Sequence, residues 1–139
     1  MREILFRAKR KATNEWVYGY FVKEYDDFQI YVQPQIITRS GREYVNENTL
    51  GQFTSLTDKN GVKIFEGDIV KFKHGDEFDK KIYYRNYAVE FINTYVTYGL
   101  RLRNRSIHFP FKKATALQHD AEVIGNIYDN PELLGDVDK

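Results

Sequence analysis

Cysteine is absent from the 139-residue chain, which also has only three prolines and one methionine. Without cysteine the protein can form neither disulfide bonds nor thiolate zinc sites, and it has no cysteine nucleophile. The amino-terminal stretch MREILFRAKRKA contains only three consecutive apolar residues, too few for the core of a signal peptide or for a membrane span. We therefore expect a cytoplasmic protein that does not enter a membrane.

Two neighbouring segments each carry charges of only one sign, although the net charge of the whole chain is only +1. Residues 120–138 carry acids and no base, whereas residues 91–119 have no acid and hold the cations Arg101, Arg103, Arg105, Lys112 and Lys113. If residues 101–105 form a strand, the three arginines share one face near aromatic residues, a pattern typical of single-stranded nucleic-acid binding. The alternative is a solvated face, or pairing with the acidic segments.

Aromatic residues are abundant, with 11 Tyr and 10 Phe, and they favour pleated sheets. Short runs that alternate at period two predict strands, and they predict a single mostly β domain over residues 1–139 that is a small barrel or sandwich. We expect Pro34 to stop the third strand, because proline cannot donate to a ladder. The predicted strands span residues 4–6, 16–22, 28–32, 36–39, 61–65, 68–73, 82–92 with an interruption near Asn86, 95–102, 106–109 and 122–128.

Helix-forming patterns are few and short. Residues 114–118 have an apolar spacing of three to four, but the segment is too short for propensity alone to hold it. One helical turn is expected at residues 46–50 with Asn46 as its cap, and another at residues 131–134. In the latter, Asn130 would cap the turn and Pro131 would occupy the first helical position.

The stretch of the sequence richest in turn-forming residues is residues 51–72, GQFTSLTDKNGVKIFEGDIVKF. Asp58, Asn60 and Gly61 form a pattern typical of a tight turn, because Asp and Asn side chains bond nearby amides and glycine tolerates positive φ. Gly67 and Asp68 predict a second turn that leads into a strand. The first turn does not fit a calcium loop, because ligand positions one and twelve would then be Leu56 and Gly67.

Catalytic and metal-binding patterns are missing elsewhere. Glu66 and Asp68 are two residues apart and could act as general acid and base, but the sequence provides neither a nucleophile nor a reason for a shifted pKa. The three histidines have no chelating spacing, and no serine lies in a nucleophile elbow or a phosphate-binding loop. We expect no catalytic residue, no metal and no cofactor.

Three blocks of the sequence belong together: a central one from Gly51-Gln-Phe-Thr to Gly67-Asp-Ile-Val, an opening Arg2-Glu-Ile with Phe6-Arg-Ala, and a closing run from Val123 to Leu134. In this order they resemble the YopX family, small proteins of phages and prophages. The resemblance implies an SH3-like barrel with an added N-terminal β-rich portion, so that residues 1–50, 51–134 and a frayed tail 135–139 become possible subdivisions. It implies no catalytic residue or cofactor. The sequence departs from the family pattern at Ser55, where glycine is usual, which indicates a backbone that does not require glycine.

These observations favour a non-catalytic module whose partner is a protein or another copy of itself. Tyrosine is favoured at protein interfaces, and the sequence between residues 82 and 102 is rich in it: Tyr83, Tyr84, Tyr87, Tyr95 and Tyr98. Nucleic-acid binding through the five cations of residues 101–113 is the alternative. A small hydrolytic enzyme using Glu66 or Asp68 is a third hypothesis, and a small-molecule substrate is not expected.

Overall fold

The computed structural model describes residues 2–28, 32–75, 78, 80–93, 96–102, 108–110 and 118–135. This part of the chain is mostly β, as the sequence predicts, and the sheets are antiparallel. The strands are β1 Phe6–Arg10, β2 Trp16–Tyr25, β3 Val32–Thr38, β4 Gly41–Thr57, β5 Lys63–Phe65, β6 Asp68–His74, β7 Tyr83–Ile92, β8 Thr97–Arg101, β9 His108–Pro110 and β10 Ala121–Asn126; a 3-10 helix, η1, covers Pro131–Leu134.

The chain divides into two compact units, Met1–Phe53 and Thr54–Lys139. The boundary falls inside β4, a strand of 17 residues that begins in the first unit and ends in the second. The two units are described separately below as unit 1 and unit 2.

Unit 1 contains a ladder of strands that closes on itself. β1 pairs with β2 and also with β4, while β2 pairs with β3 and β3 with β4. Each of these four strands therefore has a neighbour on both sides over part of its length, and together they enclose an apolar interior. The buried core consists of Ala8, Val17, Ile36 and Val45, with Phe6, Phe21 and Leu50 packed against it.

Pro34 lies inside β3, so the prediction that it stops the strand is wrong. Its position opposite Lys23 belongs to the β2–β3 ladder, whereas the β3–β4 ladder extends only from Gln35 to Thr38. At Pro34 the strand therefore has a partner on one side only. A proline is tolerated there because its missing N–H can face the unpaired side.

The predicted helical turn at residues 46–50 is also wrong, because these residues belong to β4. Asn46 accepts a hydrogen bond from Asn48 N through its side chain at 3.1 Å and from Thr49 Oγ1 through its carbonyl at 2.7 Å. Thr49 Oγ1 in turn accepts from Lys9 N at 2.8 Å. This local network replaces regular ladder bonds where the β1–β4 register shifts, and it makes a bulge instead of a helix.

Unit 2 contains a five-stranded sheet in the order β10-β6-β7-β8-β9. Its buried core consists of Ile64, Val70, Tyr87, Val89, Leu100 and Ala121, with Leu56, Phe72, Leu102 and Val123 packed against it. β7 is continuous through Asn86, where the sequence predicts an interruption. Residues 118–120 are helical, and the rest of the helix expected at 114–118 lies outside the described residues.

The final turn forms at Pro131–Leu134 with proline in its first turn, as predicted, but Asn130 does not cap it through its side chain. Asn130 Oδ1 instead accepts a hydrogen bond from Asn126 N at 3.3 Å. A β-carbon on Gly125 would lie 2.5 Å from the same oxygen. The side chain therefore points back toward the end of β10, and glycine at position 125 leaves room for it.

Ser55 takes a positive φ of 74° in β4, which corrects the expectation that the backbone there does not need a glycine-like conformation. Residues with a β-carbon are strained in this region by roughly 1–2 kcal/mol. We expect Ser55→Gly to raise the free energy of unfolding by about 1 kcal/mol, less than the full strain because glycine also makes the unfolded chain more flexible. Urea denaturation measures this difference. Ser55→Ala keeps the β-carbon and should not stabilise; equal stabilisation by both variants would contradict the strain argument.

Candidate functional site

The carboxylate of Asp58 organises the first turn of the central block. Oδ1 accepts hydrogen bonds from Asn60 N at 2.8 Å and Val62 N at 2.9 Å, and Oδ2 accepts one from Val123 N at 2.9 Å. Asp58 is only 3% exposed. Lys59 N also donates to Ala121 O at 2.9 Å, so the turn is joined to β10 at two places. These contacts direct the oxygens of Asp58 toward backbone amides.

The second turn is held in a similar way. Asp68 is 2% exposed, and its Oδ2 accepts from Phe65 N at 2.7 Å. Gly67 N donates to Val89 O, and Gly67 O accepts from Ile127 N, both at 2.8 Å. Gly67 and Gly61 both take positive φ, +88° and +79°. The pair Glu66 and Asp68, considered as acid and base, thus has one member that is buried and bonded to the main chain.

No group of three or more histidine, aspartate and glutamate side chains is placed to hold a metal ion among the described residues. Of the five cations predicted to bind nucleic acid, only Arg101 is described, and Arg103, Arg105, Lys112 and Lys113 lie outside the described residues. Arg101 Nε forms an ion pair with Glu90 Oε2 at 2.7 Å. β8 ends at Arg101, so the described strand does not extend the arginine face beyond that residue.

The five tyrosines predicted to form an interface do not share one environment. Tyr83 and Tyr84 are exposed, Tyr87 is buried in the core, and Tyr95 lies outside the described residues. Tyr98 is half-buried and packs edge-on against Phe91 at 5.3 Å between ring centroids. Of the four tyrosines among these that the structure describes, Tyr83 and Tyr84 are thus the exposed ones.

His74 is surrounded by aromatic rings at the end of β6. It stacks on Tyr83 with ring centroids 5.0 Å apart, and its Nε2 lies 2.7 Å from Tyr87 Oη, within hydrogen-bond distance. Burial lowers the pKa of His74 below its ordinary value of 6.5, and nearby Arg85 lowers it further, while Asp120 opposes both. Burial also raises the pKa of Tyr87. This site favours the neutral imidazole.

The lowered pKa of His74 predicts a dependence of stability on pH. As the pH falls below 6.5, the unfolded chain binds the proton first, so the free energy of unfolding decreases and then levels off below the folded-state pKa. The contribution of neutral His74 is fully present above 6.5. We expect His74→Gln to flatten the slope of unfolding free energy against pH in this window, measured by urea denaturation. An unchanged slope in His74→Gln would contradict the prediction.

Unit 1 presents a set of exposed aromatic side chains that we call the tyrosine surface: Tyr18 and Tyr20 on β2 and Tyr44 on β4. They are 48%, 65% and 56% exposed. Residues 18 and 20 are two apart on a strand and therefore share the face that points away from the core residue Val17. The ladder pairs Tyr20 with the half-buried Ile37 and places Tyr44 opposite Gln35 on the next strand.

The cations of β1 and its neighbours are buried or paired with acids. Arg7 and Lys9 are 6% and 7% exposed, and they lie over the ring of Trp16 at 4.6 Å and 5.4 Å from its centroid. Unit 1 includes ion pairs of Arg42 with Glu24, of Lys23 with Glu47, and of Arg10 with both Glu15 and Glu43. These cations consequently add little accessible positive charge to the tyrosine surface.

Unit 2 contains a pocket of about 270 Å³ that we call the lysine pocket. It lies across the adjacent strands β10, β6 and β7, whose ladders place Glu122 opposite Lys71 and Lys73 opposite Tyr84. Lys71 Nζ is 4.9 Å from the centroid of the Tyr84 ring, and Lys59 Nζ is 3.5 Å from Glu122 Oε2. The residues that line the pocket are Lys59, Lys71, Lys73, Tyr84, His119, Asp120 and Glu122.

The described residues define the class of the protein: a small, mostly antiparallel β protein with turns held by buried aspartates. The model of the YopX family, described as YopX protein, matches residues 5–135, so the chain belongs to the YopX family. The crystal structure of protein EF1440 from Enterococcus faecalis is similar to this chain with a TM-score of 0.57 and 23% identity, over 96% of this chain and 99% of that one. This likeness concerns the fold. No curated protein matches the chain.

The tyrosine surface and the lysine pocket differ in how far they could be predicted from the sequence. Tyr18 and Tyr20 belong to an alternating run that predicts a strand, but alternation alone does not reveal which face is left exposed. The lysine pocket combines residues from three strands and from the segment before β10, so its composition depends on strand order and register.

In the part of the chain that the structure describes, no helix is long and apolar enough to cross a membrane.

Proposed function

We propose that the protein is a non-catalytic module that associates with a second copy of itself through the tyrosine surface. The observation that supports this most is the exposure of Tyr18, Tyr20 and Tyr44 on the outer side of unit 1. Tyrosine gives a large contact area at a low cost in side-chain entropy and is enriched in protein interfaces. Exposed rings of this kind gain free energy when a partner removes them from water.

The charges around the tyrosine surface favour a protein partner over a nucleic acid. A nucleic-acid surface requires accessible cations for phosphates beside the rings that stack on bases. In unit 1, Arg7 and Lys9 are buried, and the side chains of Arg42, Arg10 and Lys23 are engaged with glutamates. The tyrosine surface thus has the aromatic rings that a nucleic-acid site requires, but it has little accessible positive charge.

Charge balance also fits a copy of the same chain as the partner. In a two-fold symmetric dimer the same surface patch of both copies forms the interface, so an unbalanced charge would lie close to a charge of the same sign on the other copy. Arg42 pairs with Glu24, and each lies at even spacing from the tyrosines of its own strand and therefore on the same face as they do. A second copy can therefore approach the tyrosine surface without net repulsion.

The test is the oligomeric state of the purified protein over a wide concentration range, measured by analytical ultracentrifugation. We expect a dimer whose dissociation constant rises by about tenfold or more in the variant Tyr18→Ser with Tyr20→Ser, because buried interface tyrosines typically contribute more than about 1 kcal/mol each. Tyr25→Ser is the matched control: Tyr25 is also 60% exposed on β2, but at odd spacing from Tyr18 and Tyr20 and thus on the other face.

A wild-type protein that stays monomeric at every concentration would overturn self-association. So would a dimer that Tyr25→Ser weakens as much as the double variant does. Retention of a bacterial protein on immobilised wild type, lost in the double variant and kept in Tyr25→Ser, would instead identify a different partner for the same surface.

We further propose that this module is encoded by a phage or prophage and acts in the cytoplasm of the bacterial host. The support is the membership of the YopX family, whose resemblance implies proteins of phages and prophages. Fractionation of cells that produce the tagged protein tests the location, and recovery in the membrane or in the medium would contradict it.

A further inference from the structure

We propose that the lysine pocket of unit 2 is a binding site for a nucleotide, with the lysines of β6 at its phosphate and Tyr84 at its base. This site is separate from the tyrosine surface and does not depend on self-association. Its volume of about 270 Å³ lies just below the range of roughly 300–1,000 Å³ typical of drug-sized ligands, so it suits a ligand of modest size.

The positive charge for a phosphate comes from Lys71 and Lys73. They are two residues apart on β6 and therefore project from the same face of the sheet, and both are exposed. Lys59 lines the same pocket but forms an ion pair with Glu122 at 3.5 Å. Lys71 and Lys73 form no ion pair with an acid among the described residues, so both ammonium groups can donate to an anion.

Tyr84 provides the aromatic platform. It is 55% exposed, stands opposite Lys73 on the neighbouring strand, and has the ammonium of Lys71 4.9 Å from its ring centroid. A ring flanked by cations is the combination that stacks on a base while the cations hold the phosphate. Strands β6 and β7 bring both parts together within one pocket.

The acids of the pocket limit which anions it accepts. Asp120 and Glu122 line it together with His119. Two carboxylates repel a compact dianion, but they can accept hydrogen bonds from the ribose hydroxyls or the amino group of a base. A ligand with a negative end, a planar ring and hydrogen-bond donors matches this mixture better than a bare inorganic anion does. A nucleotide is the ligand class that carries all three groups.

The nucleotide could be free or part of a single strand, and the experiment separates these sources. Adenosine monophosphate and adenosine are titrated into the full-length protein by isothermal titration calorimetry, and a short fluorescent single-stranded DNA is titrated by anisotropy. We expect the protein to bind the monophosphate, the strand, or both, and we expect this binding to weaken as the salt concentration rises. Binding of the monophosphate alone indicates that the ligand is a free nucleotide.

The variants Lys71→Gln with Lys73→Gln, and Tyr84→Ser, should each weaken this binding by about tenfold or more. Lys81→Gln is the control, because Lys81 is exposed and does not line the pocket. Circular dichroism verifies that each variant is folded, and Lys71→Ala and Lys73→Ala singly replace the double variant if it is not. The variant Tyr18→Ser with Tyr20→Ser should keep nucleotide binding, which distinguishes this site from the tyrosine surface.

Three results would overturn the proposal. One is the absence of binding to both the monophosphate and the strand at low salt. Another is binding that the lysine and tyrosine variants leave intact or that Lys81→Gln reduces equally. The third is equal affinity for adenosine and adenosine monophosphate, because the lysines would then have no phosphate to hold.

Discussion

Replacing Asp58 by alanine is expected to lower the free energy of unfolding by about 4 kcal/mol, a large share of the stability of a small domain. The carboxylate accepts hydrogen bonds from the amides of Asn60, Val62 and Val123 while only 3% exposed. Alanine leaves those donors without this acceptor. Urea denaturation followed by circular dichroism measures the loss.

Asp58→Asn gives a graded comparison with that variant. The amide keeps one oxygen that can serve Asn60 and Val62, but it places an NH₂ group toward Val123 N, which is also a donor. We expect a loss of about half that of alanine. The control Asp27→Ala, at an exposed aspartate, should change the stability by less than about 0.5 kcal/mol. A loss no larger in Asp58→Ala than in this control would contradict the role of the carboxylate.

Gly19→Ala is the second substitution for which we expect a large effect, a loss of about 3 kcal/mol or more. A β-carbon at position 19 would lie 2.0 Å from the carbonyl oxygen of Ile37 and 3.0 Å from Cγ2 of Ile36. The first contact is with main chain, so β2 and β3 would have to separate to relieve it. Thermal or urea unfolding of the purified variant measures the cost.

Gly61→Ala is the matched control for Gly19→Ala. Gly61 has a positive φ of 79°, but a β-carbon there would meet nothing within 4 Å. Its cost should be the backbone strain alone, roughly 1–2 kcal/mol. Similar losses in the two variants would show that the close approach of β2 and β3 is relieved easily, contrary to our expectation.

The sequence was informative where structure depends on local chemistry. The turn at Asp58, Asn60 and Gly61 was expected from residues that are close in sequence, and so was Pro131 in the first turn of η1. Turn residues act through bonds to amides a few positions away, so their effect can be read without knowledge of the fold. The mostly β composition was equally accessible, because alternation at period two is a local property.

The sequence misled where tertiary contacts outweigh local preference. Residues 46–48, Asn-Glu-Asn, disfavour strands, yet they lie in β4 because Thr49 and Asn46 build a bulge against β1. Asn130 precedes a proline as helix caps often do, but its side chain bonds to Asn126 N instead. Both outcomes depend on which other strand lies nearby, and this is not encoded in the immediate neighbours.

The candidate sites were the least predictable part. The cluster of cations was conspicuous in the linear sequence, but Arg101, its only described member, is engaged with Glu90. Lys71 and Lys73 belong to no pattern in the sequence, and Tyr84 was noted only as one of five tyrosines; the three form a pocket only through the register of β6 and β7. Tyr18 and Tyr20 became a candidate surface only when the core of unit 1 fixed which side of β2 faces outward.

The hydrogen bond from Val123 to Asp58 joins residues 65 positions apart, and β6 likewise pairs with the much later β10. During synthesis on the ribosome, the chain must therefore expose the edge of β6 until the segment containing β10 has emerged. Until then Asp58 lacks the hydrogen bond from the amide of Val123. The exposed edge of β6 can meanwhile pair with other chains. Nascent chains halted before residue 121 should accordingly be more prone to aggregate and more sensitive to proteases than completed ones.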